Sequence, residues 1–326
     1  MRQFAALLLT ALIVLPIQAS AASENLWDDA RINDGQDVFA GTIGGISIDL
    51  TNTTTDASAS SGISELPSIV EVYTATWCFN CIKTELALDE AIGDQDVTRI
   101  HYHRYLYETL DPFGSNSTDS RWVDAYGRGS VLSSETSVLD GMERAAPSNV
   151  FDGERMYTGI GTRSNSLVTD YSTALALGSS HPFEQNSSFS LSAEREGDSE
   201  VFSFAWSNMI SSSIENWEVS GWLLFVEEIA NFPDGSNGKG NYSHILHEAV
   251  NIGSDQIGSI VLDSPNPWDG DDMSVVLVVD WLTHSGNDGN SLPAPAVSTL
   301  LCMLAALVPR RNRNILSHSN ECQQLG

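Results

Sequence analysis

Ser68-Ile69-Val70-Glu71-Val72-Tyr73-Thr74-Ala75-Thr76-Trp77-Cys78-Phe79-Asn80-Cys81 is the stretch on which the reading of this chain turns. Ile69 to Tyr73 is dominated by β-branched and aromatic residues, the composition of a short buried strand. It runs directly into a Cys-x-x-Cys pair. Leu86, Leu88, Ala91 and Ile92 then recur at helical spacing up to Gly93, and Val97 to Tyr102 supplies a second strand. The unit is strand, helix, strand, with both cysteines at the strand-to-helix turn.

That placement matters chemically. Two thiols three residues apart at the first turn of a helix can close a small-ring disulfide, and the helix N-terminus stabilises a thiolate on the first of them. Cys78 is then the attacking sulfur and Cys81, one turn deeper, the resolving one. Trp77 abuts the first cysteine. Glu71 alternates with Val72, so it either faces the pair as a buried proton acceptor or points outward as a solvated charge. A zinc half-site would need two further ligands that the sequence places poorly. A closed structural bridge is the other alternative.

Beyond the second strand, Tyr105 to Asp140 reads as an excursion with a short helix around Arg121 to Tyr126. Ala146-Pro147 precedes a strand at Ser148–Phe151, a turn at Asp152-Gly153 and a strand through Met156 and Tyr157, and Leu167 to Leu175 closes the unit at helical spacing. Past Ser180 the pattern becomes strands alone: Phe189 to Ala193, Val201 to Trp206, Val219 to Glu227, Tyr242 to Val250, Ile257 to Leu262 and Ser274 to Trp281. Alternating strands between turn-rich stretches predict a small β-sandwich. The expected organisation is a signal peptide at 1–21, an acidic Ser/Thr-rich linker at 22–67 with one strand at Thr42 to Leu50, an α/β domain at 68–180, a mainly-β domain at 181–290 and a tail at 291–326.

Glu71-Val72-Tyr73-Thr74, His101, Asp111-Pro112-Phe113, and Pro147 leading into Val150-Phe151-Asp152-Gly153 resemble an uncharacterised family of secreted bacterial thioredoxin-like proteins. Asn241-Tyr242-Ser243-His244-Ile245-Leu246 looks like the second-domain segment of related outer-membrane lipoproteins. The resemblance implies a thioredoxin-like fold followed by a sandwich-like domain. It also implies that Pro147, if cis, shapes a groove in which backbone beside it bonds a bound peptide. Ile82 stands where many relatives have proline.

The ends point to export. Arg2, the apolar run Phe4 to Ile17 and Ala19-Ser20-Ala21 have the three parts of a cleaved signal. Pro293 and Pro295, the twelve apolar-rich residues Val297 to Val308 and Arg310, Arg311 and Arg313 resemble a sorting signal of the Pro-Glu-Pro type, with Ala294 in the middle position. This apolar segment is shorter than the roughly 17 to 25 residues of a membrane-spanning helix. Cys302 and Cys322 fall within the tail region, which leaves Cys78 and Cys81 to the body of the chain.

The formal charge of −28 excludes nucleic acid as a natural partner, because such a surface repels phosphate backbones. His101 and His103 share a strand face that two metal ligands could use but have no marked carboxylate or cysteine neighbour. His244 and His247 with Glu248 do not make His-Glu-x-x-His, the acidic turns at Asp269–Asp272 and Asn33–Asp37 lack the full calcium-binding loop, and no cofactor is implied. The sequence thus predicts an exported thiol–disulfide oxidoreductase acting on thiols or disulfides of other exported proteins, together with a redox partner and with surface association through the tail. A non-enzymatic binding protein with a structural disulfide is the alternative.

Overall fold

The strand at the centre of the sequence reading is β4 (Ser68–Thr74), buried on both faces from Ile69 onward, its one charged residue Glu71 included. In the computed structural model, which describes residues 28–32, 38–105, 110–135, 141–197, 199–213 and 215–284, β4 pairs in parallel with β5 (Val97–His103) and antiparallel with β6 (Ser148–Phe151). β6 turns back as β7 (Arg155–Thr158), whose outer edge takes the two-residue β1 (Asp28–Asp29). The signal peptide and tail expected at the two ends, and the acidic turn at Asn33–Asp37, lie outside the described residues.

Helices cover both faces of this region. α1 (Phe79–Ile92) starts at Cys78 and stops at Gly93, whose positive φ of 54° suits glycine. With α4 (Leu167–Leu177) it encloses Val70, Val72, Leu88, Tyr171 and Leu175. On the opposite face α2 (Asn116–Trp122), a π-helical turn (Val123–Gly127) and α3 (Arg128–Ser134) bury Trp122 and Tyr126 against Ile69, Tyr73, Ile100 and Tyr102.

All of the strands expected after Ser180 form: β8 (Ser188–Arg195), β9 (Val201–Met209), β10 (Trp217–Asn231), β11 (Asn241–Gly253), β12 (Ile257–Asp263) and β13 (Met273–His284). An α/β region is therefore followed by a β-rich one. The two share a sheet, ordered β1-β7-β6-β4-β5-β11-β10-β13-β2 with β2 at Val38–Asp49, because β11 pairs in parallel with β5 at Ile245 and His101. A second sheet, β12-β9-β8-β3 with β3 at Asp56–Gly62, packs on its β-rich end across a core of Leu191, Phe202, Phe204, Phe225, Val275 and Leu277.

The acidic linker expected at 22–67 is not one over its second half. Val38–Asp49 is the edge strand β2, longer than the strand expected at Thr42 to Leu50, and it sends Ile43, Ile46 and Ile48 into the sandwich core. Asp56–Gly62, read as small polar spacer, is β3, paired residue by residue with β8. Its inward residues are Ala57 and Ala59, too small to show an apolar alternation in sequence yet sufficient to pack against the core.

A buried ionic network joins the two regions. Arg121 of α2 donates through Nη1 to Asp280 Oδ2 of β13 at 2.8 Å, through Nε to the Tyr102 hydroxyl at 2.8 Å, and through Nη2 to Glu71 of β4 at 3.3 Å. Arg31 donates to Asp280 Oδ1 at 2.8 Å and to Thr42 Oγ1 of β2 at 2.7 Å, while Tyr102 and Tyr126 both donate to Glu71. Burial alone would raise the Asp280 carboxyl, but Arg121 and Arg31 outweigh it and hold Asp280 well below the usual carboxylate range. Asp280→Asn should therefore cost about 3–5 kcal/mol at neutral pH, since two guanidiniums lose their shared partner. The Asp280 contribution is in place above the unfolded value near 3.8 and is lost as pH falls toward the lower folded one. Urea unfolding should accordingly show the gap between wild type and variant narrowing toward about pH 2; a gap independent of pH would contradict the assignment.

Candidate redox site

Cys78 and Cys81 form a disulfide, with Cα atoms 5.3 Å apart. The local sequence makes this turn directly. The Cys78 amide donates to Ala75 O at 3.0 Å, and Cys78 then caps α1, its Sγ accepting the Cys81 amide at 3.2 Å. The first sulfur thus occupies the position of the side-chain oxygen in an ordinary N-cap, where the helix amides favour negative charge. Cys81 is 1% exposed and Cys78 5%, so the leading cysteine is the less buried residue of the two. Trp77 and Ala146 pack against the pair, and the Ala146–Pro147 bond is cis. Sequence reasoning grouped Cys78, Cys81, Trp77 and the Pro147 loop, and the fold brings them together.

Glu71 does not belong to this group. Strand alternation puts Val72 and Thr74 on the α1 face of β4 and sends Glu71 to the opposite face, into the Arg121 network. The outward, solvated orientation fails too, because Glu71 is fully buried. The carboxylate on the cysteine side is Glu85, which the sequence reading passed over. It lies one helical turn beyond Cys81, is 8% exposed, accepts a hydrogen bond from Thr74 Oγ1 at 3.1 Å and is ion-paired with Lys239. The i, i+4 spacing from Cys81 was the available signal.

The turn before the cysteines is held from outside. The Thr76 amide donates to Asp111 Oδ2 at 2.9 Å, and Asp111 also meets His103 Nδ1 at 2.9 Å. Thr76 O accepts the Asn237 amide at 3.1 Å, and the Tyr242 hydroxyl shares its one proton between Asn237 Oδ1 at 2.7 Å and Thr76 O at 3.2 Å. Burial is the chief cause that pushes the Tyr242 phenol up to about 12. Gly235 is required here, since a Cβ on it would stand 2.1 Å from the Tyr242 oxygen.

The remaining polar candidates are structural. His101 is buried edge-on against His244, ring centroids 5.5 Å apart, and burial lowers its pKa well below the ordinary value. The acidic turn at 269–272 accepts backbone amides: Asp269 from Asn231, Asp271 from Asn52 and Asp272 from Ile229. Among the described residues no cluster of three or more His, Cys, Asp or Glu is disposed to hold a metal.

No protein-family model and no curated protein matches this chain. Two solved structures show a distant likeness. An Agrobacterium tumefaciens protein from a structural-genomics programme is 15% identical with a TM-score of 0.37, over 60% of this chain and 78% of its own. HBP35 of Porphyromonas gingivalis is 14% identical with a TM-score of 0.34, over 66% of this chain and 63% of its own. Likenesses at this level carry no argument about fold or activity, and what is said of the site rests on its geometry.

The external hold on the cysteine turn can be tested through Tyr242→Phe. Removing the hydroxyl leaves Thr76 O and Asn237 each short of a partner, at an expected cost of about 1–3 kcal/mol in urea unfolding. Amide exchange at Cys78 and Asn237 should quicken. Unchanged exchange would show that β11 does not restrain the turn.

Proposed function

We propose that this chain is a thiol–disulfide oxidoreductase of the cell envelope, with a thioredoxin-like module as its α/β region. The observation that carries the reading is the Cys78–Cys81 disulfide at the N-terminus of α1, with Cys78 as the cap. Support for the module comes from strand order. The strand before the cysteines lies between a parallel partner reached through α1 and an antiparallel hairpin that follows Pro147, and a final helix packs back on α1. That order is what supports reading the region as a thioredoxin-like module, here extended by β11, β10, β13 and β2.

In the reducing direction the Cys78 thiolate attacks one sulfur of a partner's disulfide. The partner's S–S bond breaks, its other sulfur leaves as a thiolate, and a mixed disulfide joins the proteins. Cys81 then gives up its proton and attacks Cys78 Sγ, which releases the partner's second thiolate. The partner gains two electrons and the Cys78–Cys81 bond is restored. Run backward, the same steps oxidise a dithiol. Glu85, polarised by Lys239 and one turn from Cys81, is the acceptor for the Cys81 proton in place of Glu71. Trp77 and the Pro147 loop flank the reacting sulfurs. The β-rich region holds the cysteine turn through Asn237 and Tyr242. The partners are thiols or disulfides of other exported proteins, together with a redox partner protein that resets the pair; the leader-like N-terminus supports an exported location, and the tail supports surface association.

The 5% exposure of Cys78 favours a second reading, a structural bridge in a binding protein. Tryptophans give that reading no support. Trp206 is in the sandwich core, Trp217 and Trp222 are half-buried, and Trp268, 46% exposed, packs on Phe113 and Phe232, so the four form no exposed patch. Insulin-disulfide reduction separates the two readings. Cys78→Ser should abolish it with the fold intact, and Glu85→Gln should slow it by about tenfold or more. A wild-type chain inactive at the level of the serine variant would make the bridge structural.

A further inference from the structure

Cations are scarce in a chain of charge −28, and its lysines are Lys83 and Lys239 alone. Most described arginines are committed to carboxylates: Arg31 and Arg121 to Asp280, Arg99 to Asp89, Arg144 to Asp119, Arg155 to Glu154 and Arg195 to Glu200. No carboxylate pairs with Lys83 or Arg104 among the described residues, and both lie close to the cysteine turn, one along α1 and the other against Trp77. Lys83 is exposed on α1 two residues beyond Cys81. The Arg104 guanidinium lies 5.8 Å from the ring centroid of Trp77, the residue before Cys78.

The same surface carries exposed apolar side chains. Leu86, which the helical pattern assigned to the buried face of α1, is 63% exposed, and Phe79, between the cysteines, is 65% exposed. Phe79, Lys83 and Leu86 stand at i, i+4 and i+7, so they form one outward ridge that begins at the disulfide. Large apolar groups exposed together next to cations that have no carboxylate partner among the described residues are the composition of a docking surface rather than of an idle, solvated helix face.

From this we infer the substrate class: the disulfide face docks an acidic polypeptide segment that carries apolar side chains beside its own thiol or disulfide. The inference rests on the redox reading above. Charge decides the partner's sign. Fields from the distant acidic surface are screened beyond about 8 Å at physiological salt, so on close approach the local cations govern. An acidic segment is repelled by the carboxylate-rich remainder of the surface and meets the positive charges of Lys83 and Arg104 near the cysteine turn. This orients it as well as binding it.

Two disulfide-bridged peptides that differ only in Glu or Lys flanks, reacted with the reduced full chain in about 0.15 M salt, provide the test, with hydroxyethyl disulfide as an uncharged substrate. The readout is the ratio of the Glu-peptide to the Lys-peptide rate constant, taken within one protein so that any change in the reactivity of Cys78 cancels. Reversing both charges, Lys83→Glu with Arg104→Glu, should lower that ratio by about threefold or more, the scale of two screened contacts changing sign. An unchanged ratio, with hydroxyethyl disulfide still reduced, would overturn the docking inference and leave the oxidoreductase standing. A wild-type chain inert toward hydroxyethyl disulfide would overturn both.

Discussion

The contact between Arg121 and the carboxylates of Glu71 and Asp280 is the constraint on which the rest of the structure depends. Glu71 comes from the strand that delivers the cysteines, Asp280 from a strand of the sandwich more than two hundred residues later, and Arg121 from the helical layer between. Side chains of Arg121 and Glu71 are fully buried, so each charge is tolerable only because the others are present. Tyr102, Tyr126, Thr42 and Arg31 fill the remaining hydrogen-bonding positions. A network of this kind adds little net stability over an apolar core of the same shape, but it admits few alternative arrangements. Its role is to fix how the α/β and β-rich regions meet along one continuous sheet.

That junction bears on the chemistry. β11 pairs with β5 at a single residue pair, and the loop leading into β11 supplies Lys239 to Glu85 and Asn237 to the cysteine turn. The proposed redox turn is therefore not a property of the strand–helix unit alone. Three of its supports, Asn237, Lys239 and Tyr242, come from the region that composition alone would assign to a separate domain. This gives the β-rich region a physical role at the site without requiring a ligand of its own.

What was legible in the sequence follows the range of the interactions. β4, α1 and β5 could be read because their signals are local: a β-branched run, helical spacing and a terminating Gly93. The cysteine turn and Trp77 followed from the same stretch, while the Pro147 loop was read from Ala146-Pro147 ahead of a later strand and from the family resemblance. β3 was illegible because its packing residues are alanines among serines, which look like spacer until a partner strand covers them. Strand alternation showed that Glu71 and Val72 face opposite ways but not which face α1 would cover, and the choice depends on crossover handedness and on the later helices. Lys239 and Glu85 are separated by 154 residues, and no local pattern couples them. Leu86 fits the apolar face by its period and was turned outward by the register of α1 on the sheet.

The measurement that bears most directly on the central claim is the reduction potential of the Cys78–Cys81 pair in the full chain, obtained by equilibration with glutathione and alkylation of the free thiols. A helix-capping sulfur that exchanges with partner disulfides should place the pair between about −270 and −120 mV, the range spanned by exchange catalysts. A potential below about −300 mV, or thiols that never equilibrate, would make the bridge a structural one and contradict the account.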